Sequence, residues 1–218
     1  MCHTPGTWLC RSCQSRYLTE NLPECAVCRK VSTGFVTHPQ CKTDFPTDQV
    51  VILWRYNRLG RAFMNKLKLG LRYRIVDHFI GIAQSKIHVL IPPTSILIPV
   101  PAHPLRLKER GFNQSEIIAN SIAQITGCTT LNALSRSHLG THQTGTSRRE
   151  RLLQKSNEFL IKKELHSRLK NEKIVIVDDV CTTGATLHNC ALALVPVQPK
   201  SISAIALFRG KKTKSNHG

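Results

Sequence analysis

The chain has 218 residues, enough for one α/β domain with a buried core plus a small module. Its hydrophobic content is 41%, and no apolar run approaches the ~20 residues that span a bilayer, so membrane insertion is not expected. Lysine plus arginine number 31 against 13 acidic residues, a formal net charge of +18 that points to a polyanionic partner, nucleic acid first; aromatics at 6% argue against an extended base-stacking platform.

Six of the nine cysteines lie in the first 41 residues. No apolar export segment precedes them, so a reducing compartment and metal binding are expected rather than disulfides. Cys10-x2-Cys13 and Cys25-x2-Cys28 are two knuckles, each presenting two thiolates, which together complete a tetrahedral set. Few large apolar residues separate them, so a metal would supply the folding energy that a core cannot. The first-ranked arrangement is one structural zinc on Cys10, Cys13, Cys25 and Cys28, because it needs no missing ligand. A second arrangement stays open. His38-x2-Cys41 reads as a third knuckle and Cys2 sits ahead of Cys10, giving one site near Cys2, Cys10 and Cys13 and another from Cys25, Cys28, His38 and Cys41.

Residues 49 to 57 read as a strand. Residues 58 to 84 carry helical spacing through Leu59, Phe63, Leu67, Ile75, Phe79 and Ile82, interrupted around Gly70. Arg61, Lys66, Lys68, Arg72 and Arg74 cluster there; Lys66, Lys68, Arg72 and Arg74 are candidates for an anion-facing surface. Ile96-Leu97-Ile98-Pro99-Val100-Pro101 is a strand ending in a proline turn. Arg106 to Ser115 follows it directly, then a helix with Ile117, Ile118, Ile122 and Ile125 on one side and Gly127 at its end. Residues 134 to 159 are basic and rich in small polar residues, and are expected to form a mobile loop leading into a short helix.

Lys173 to Leu187, KIVIVDDVCTTGATL, is the most informative stretch. Ile174 to Val177 suit a buried parallel strand. Asp178 and Asp179 are expected where that strand ends, before a small hydroxyl-rich turn, Thr182-Thr183-Gly184-Ala185-Thr186, that opens a helix. Backbone amides, the helix dipole and threonine hydroxyls make such a turn an anion site, and two adjacent carboxylates suit the hydroxyls of an attached sugar. Cys181 in this motif is not read as a nucleophile, and Cys190 is expected to be a buried small hydrophobe. Lys200 to Phe208 reads as a last strand, and Arg209 onward as a polar basic tail.

The stretch from Asp178 to Thr186 resembles the signature of the type I phosphoribosyltransferases. Pro99-Val100-Pro101, then Arg110-Gly111-Phe112-Asn113-Gln114, then the acidic pair and its loop, behind a Cys-rich N-terminus, resembles the ComF/GntX family of competence-associated proteins from about Cys10 to Arg209. The resemblance implies an α/β phosphoribosyltransferase fold, a parallel sheet flanked by helices, with a small zinc-ribbon-like module. The expected organisation is 1–48 for the Cys-rich module, 49–210 for the phosphoribosyltransferase-type domain and 211–218 for a basic disordered tail. The ligand implied is phosphoribosyl pyrophosphate (PRPP) with Mg²⁺. Asp178 and Asp179 would hold the ribose hydroxyls at the catalytic centre. Thr182, Thr183, Gly184, Ala185 and Thr186 would hold the 5′-phosphate, and Val100, Pro101, Arg106 and Arg110 would border the diphosphate. Gln143, Arg148 and Arg151 resemble a flap over PRPP, although the asparagine usual in the family is Gln154 here. Against the family's paired cysteines, Cys2 resembles the second member of a pair whose partner lies upstream of Met1. The resemblance further implies a cytoplasmic protein that handles incoming single-stranded DNA in natural transformation, alongside other DNA-uptake or recombination proteins. Catalysis is left open: no residue cluster specifies a base or amine acceptor. A transcription regulator is disfavoured, because no helix-turn-helix is recognisable.

Overall fold

The computed structural model describes residues 7–42, 45–68, 72–136 and 158–210. A five-stranded parallel sheet organises it, with β1 (Gln49–Arg55), β2 (Ile96–Pro99), β3 (Thr129–Thr130), β6 (Lys173–Cys181) and β7 (Ser201–Arg209) in the order β1-β7-β6-β2-β3. A separate antiparallel ribbon pairs β4 (Leu134–Arg136) with β5 (Phe159–Ile161). Alternation along the strands fills two cores. Val51, Leu53, Leu97, Val175, Val177, Ile205 and Leu207 point to one face. That face is covered by α3 (Arg58–Lys68), α4 (Arg72–Ile82), α5 (Gln84–Leu90) and α7 (Gln114–Thr126). Val50, Ile52, Ile98, Ile174, Ile176, Ala204 and Ala206 point to the other face, against Leu187, Cys190 and Leu194 of α9 (Ala185–Leu194), with Phe45, Phe159 and Leu169.

The N-terminal segment lies along the open edge of β1. It contributes α1 (Arg11–Tyr17), a tight turn at Cys25–Lys30 and the single turn α2 (Pro39–Lys42). Isolated bridges join Glu20 to Trp54 and Val36 to Gln49, and the Arg55 amide donates to the Thr19 carbonyl at 2.9 Å. An edge strand that would otherwise offer unpaired amides is thereby covered. Among the described residues no helix is long and apolar enough to cross a membrane.

Several expectations are corrected. The strand carrying the acidic pair does not stop before it: β6 continues through Asp178 and Asp179 to Cys181, because Cys181 still pairs with Arg209 of β7. Arg209 does not open a solvated tail; it is 6% exposed, held by Glu24, Cys181 and Ala26. The segment after β2 holds a helix that the periodicity did not announce, α6 (Pro104–Arg110), started by Pro104 and by the His103 ring accepting from the Leu105 amide at 3.3 Å. A one-turn helix α8 (His166–Leu169) precedes β6. The two ends of the expected loop over 134–159 pair as β4 and β5, while its centre lies outside the described residues, as does the expected tail over 211–218.

Candidate active site and candidate metal centre

In a parallel sheet the loops at the carboxyl ends of the strands share one edge, which is where ligands gather. Here that edge carries a cavity of about 1130 Å³. The end of β6 supplies Asp178, Asp179, Val180 and Thr182, with Thr186 from α9. The end of β2 supplies Val100, Pro101, Ala102 and His103, and α6 adds Arg106 and Arg110. Gly210 enters from β7, and Tyr56, Asn57, Arg58 and Arg61 from the end of β1 and the start of α3. Thus the residues singled out at three separate places in the sequence line one cavity.

Asp178 is fixed by its neighbours. It is 8% exposed, its Oδ1 accepts from the Ser115 hydroxyl at 3.1 Å and from the Asp179 amide at 2.9 Å, and Ser115 sits in the first turn of α7. Asn113 caps that helix, accepting from the Ser115 amide at 3.2 Å while its Nδ2 donates to the Val100 carbonyl at 2.9 Å. One short motif therefore orients the β2 loop and the acidic residue together. Burial, and then the neighbouring Asp179 charge, push the Asp178 carboxyl up to about 8. Burial raises Asp179 too, opposed by the Val180 amide and by the Arg110 and Arg106 guanidiniums. Two carboxylates sharing a desolvated corner resist double ionisation until a ligand supplies donors.

The turn after β6 suits an anion. Gly184 caps α9 at φ +86°, a left-handed conformation that a side chain disfavours, and it offers no side chain to occupy the helix amides; Thr183 Oγ1 reaches back, accepting from the Ala185 amide at 3.3 Å. Gly210 passes so close that a Cβ there would meet Thr182 Cγ2 at 2.6 Å.

Sequence reasoning missed several cavity residues. Gln114 is 6% exposed, and its Nε2 has no hydrogen-bond partner among the described residues. An unpaired buried donor costs roughly 1–3 kcal/mol, so a ligand acceptor at that position would be favoured. Arg58 and Arg61 are exposed on the cavity wall and form no ion pair among the described residues. Asn57, at the start of α3, gave no motif signal because its role is to accept from the Leu59 and Gly60 amides. Arg136, which also lines the cavity, is paired with Glu158 at 2.9 Å. Thr183, Gly184 and Ala185 belong to the loop but do not line the cavity. Lys66 and Arg74 are exposed away from it; nothing is described of the Lys68 and Arg72 side chains. Gln143, Arg148, Arg151, Gln154 and Cys2 lie outside the described residues.

The first-ranked metal set is also corrected. Cys25, Cys28, His38 and Cys41 bring their ligand atoms within 4.8 Å of one another, and Cys10 and Cys13 are not part of that cluster. Cys10 and Cys13 instead begin α1, which packs toward Leu9, Leu18 and the α4 side of the sheet. Cys28 Sγ lies 3.3 Å from His38 Nδ1, and the other ring nitrogen faces the Val31 carbonyl at 3.2 Å. Three thiols and an imidazole so placed are the donor chemistry of a closed structural zinc site, and the cluster could hold one. Burial works to raise the Cys25 thiol, but backbone amides at His38, Cys28 and Val27 outweigh it and bring it down to about 7. Burial and the adjacent Cys25 and Cys28 thiols push Cys41 up to about 11. Cys181 and Cys190 are buried, and burial raises both thiols, which suits packing rather than nucleophilic chemistry.

Residues 113–217 match the phosphoribosyl transferase domain model. The chain is 26% identical over 220 residues to Competence protein F of Haemophilus influenzae, covering 95% of this chain and 93% of that protein. It is 25% identical over 214 residues to Competence protein ComFC of Bacillus subtilis, covering 94% of this chain and 85% of that protein. Among solved structures, a purine phosphoribosyltransferase from Pyrococcus horikoshii aligns at a TM-score of 0.38 and 20% identity, over 62% of this chain and 82% of that one. With the acidic pair, its loop and the Cys-rich segment in place, the chain carries a phosphoribosyltransferase domain and is similar over nearly its whole length to these ComF-type competence proteins.

Proposed function

We propose that the chain binds PRPP with Mg²⁺ in the cavity and handles incoming single-stranded DNA in the cytoplasm during natural transformation. The observation that carries this reading is the convergence of Asp178, Asp179, the Thr182–Thr186 loop, Val100–Pro101, Arg106 and Arg110 on one edge of the sheet. The start of α9 and the threonine hydroxyls take the 5′-phosphate. Asp178 and Asp179 accept from the ribose 2′- and 3′-hydroxyls. The β2 loop lies beside the diphosphate, whose charge Arg106 and Arg110 offset. Mg²⁺, when bound, neutralises the diphosphate further. Zinc on Cys25, Cys28, His38 and Cys41 holds the N-terminal segment folded, and we keep 1–48 and 49–210 as module and domain.

The net charge of +18 and the competence-protein names of the relatives support a DNA role. We assign the exposed Arg58, Arg61, Lys66 and Arg74 to the DNA backbone, with Lys68 and Arg72 as further candidates by their place in the sequence. Calorimetric titration of PRPP and Mg²⁺ into the zinc-loaded protein, with and without a single-stranded oligonucleotide, tests both parts. Saturable PRPP binding that changes with DNA is expected. No PRPP binding would end the reading of the cavity, and DNA binding insensitive to salt would end the backbone reading.

A second reading is phosphoribosyl transfer to a base or amine. The cavity volume favours it, since about 1130 Å³ exceeds the roughly 300–1,000 Å³ of one small-ligand site, leaving room for an acceptor. Sustained diphosphate release with any acceptor would replace the binding-protein reading.

A further inference from the structure

The metal cluster and the phosphate loop touch. The knuckle turn is closed by the Cys25 amide donating to the Lys30 carbonyl and the Arg29 amide to the Cys25 carbonyl, both at 2.9 Å. Arg29, the residue after Cys28, stands at φ +61°, so the turn sends its side chain outward in one defined direction. Its guanidinium donates to the carbonyl of Thr182, a residue that lines the cavity. The two residues are 153 apart in sequence.

A second strut stands beside the first. Arg209, buried at the end of β7, donates through Nε to Glu24 at 2.6 Å and through Nη2 to the Ala26 carbonyl, inside the knuckle, at 3.3 Å. Its Nη1 reaches Cys181 Sγ at 3.1 Å, immediately before Thr182. The following residue, Gly210, presses on the Thr182 methyl and donates to the Cys181 carbonyl at 2.9 Å. On the far side of the loop, Phe45 covers Gly184 and stacks on His188 of α9 at 5.2 Å. The phosphate loop is therefore clamped from the Cys-rich segment.

We infer that the Cys25–Cys28–His38–Cys41 knuckle sets the shape of the phosphate loop, with Arg29 as the positioning residue between them, so that metal occupancy and anion binding in the cavity are thermodynamically linked. Linkage is reciprocal. A metal that fixes the knuckle pre-organises Thr182 for an anion, and an anion held by the loop slows loss of the metal. Arg29 does not ligate the metal and is not among the cavity-lining residues, so its role is separable from both.

The test uses the full-length, zinc-loaded protein and Arg29→Ala. Zinc content and far-UV circular dichroism should match the parent chain, which excludes simple misfolding. Amide hydrogen exchange in peptides spanning 180–188 should rise in the variant and rise again when the parent is stripped of zinc by a chelator. PRPP affinity should fall about tenfold in the variant, within the roughly 5–150-fold range of coupling between linked sites. PRPP should slow chelator removal of zinc from the parent and do so much less in Arg29→Ala. Unchanged exchange over 180–188 in the variant would overturn the inference whatever PRPP does. The affinity arm rests on the PRPP reading, but the exchange arm does not. A parent that binds no PRPP but shows loop exchange responding to Arg29 and zinc would sink that reading and leave the link standing.

Discussion

The two functional regions of this chain differ in how they are written. The acidic pair and its loop lie in one contiguous stretch at the end of one strand, so their residues are legible together in the sequence even though distant residues hold their shape. The metal set is drawn from a knuckle at Cys25–Cys28 and a short turn at His38–Cys41, and Cys10–Cys13 competes for the same role by spacing alone. Which knuckle joins Cys25 and Cys28 is decided by where the chain crosses the β1 edge. The lesson is that a contiguous motif can be recognised before its surroundings are known, whereas an assembled ligand set can be told from its rivals only once the packing is known.

The sharpest challenge to this contrast is at the cysteines. Cys25→Ser and Cys41→Ser should each abolish metal binding at the cluster and destabilise the N-terminal segment by several kcal/mol, because the binding energy of a structural zinc is folding energy, ~10 kcal/mol in small modules. Cys10→Ser should retain that metal, as measured by metal-to-protein stoichiometry in native mass spectrometry. Loss of the Cys25 metal in Cys10→Ser would restore the set first ranked from the sequence.

Next in size is the acidic pair. Asp178→Asn with Asp179→Asn should lower PRPP affinity at least 100-fold, since hydrogen bonds to charged groups contribute ~1.5–3 kcal/mol each. The melting temperature should not fall, because Asp178 already carries a proton in the free protein, burial disfavours the charge on Asp179, and amide oxygens can still accept from Ser115 and the Asp179 backbone. DNA binding should be largely retained; equal loss of both ligands would mean one site, not two.

Much of this was readable in advance, and the failures share a cause. The strands at 96–99 and 201–209 and the end of α7 follow from hydrophobic runs and helix stops, which are local signals. The continuation of β6 through two aspartates was hidden, because it depends on the partner strand reaching Arg209. Arg209 itself looked like the first residue of a basic tail; only Glu24 and Ala26, 185 and 183 residues away, make it a buried strut. Gln114 was visible as part of a motif, but its unpaired amide was not. Replacing it with Leu should weaken PRPP binding about tenfold while leaving stability unchanged or improved, since an orphaned donor is removed. Affinity equal to the parent would place Gln114 outside the ligand's reach.

The smallest effect is with pH, and it separates the acidic pair from the rest of the cavity. Because burial and Asp179 raise the Asp178 carboxyl to about 8, the free protein holds a proton there at neutral pH. Ribose hydroxyls bond more strongly to an ionised carboxylate, so PRPP affinity should rise from about pH 6.5 to about pH 8.5, with proton release on binding that makes the calorimetric enthalpy depend on the buffer. Stability runs the other way. The folded chain binds more protons than the unfolded chain between the ordinary carboxyl value and about 8, so the contribution of Asp178 is fully present at low pH and is lost as pH rises through that window. Titration of the PRPP phosphates also contributes to the affinity profile, and Asp178→Asn isolates it. If the variant keeps the parent's proton release, the proton comes from the ligand or from Asp179, and Asp178 is not the group that ionises to receive the sugar.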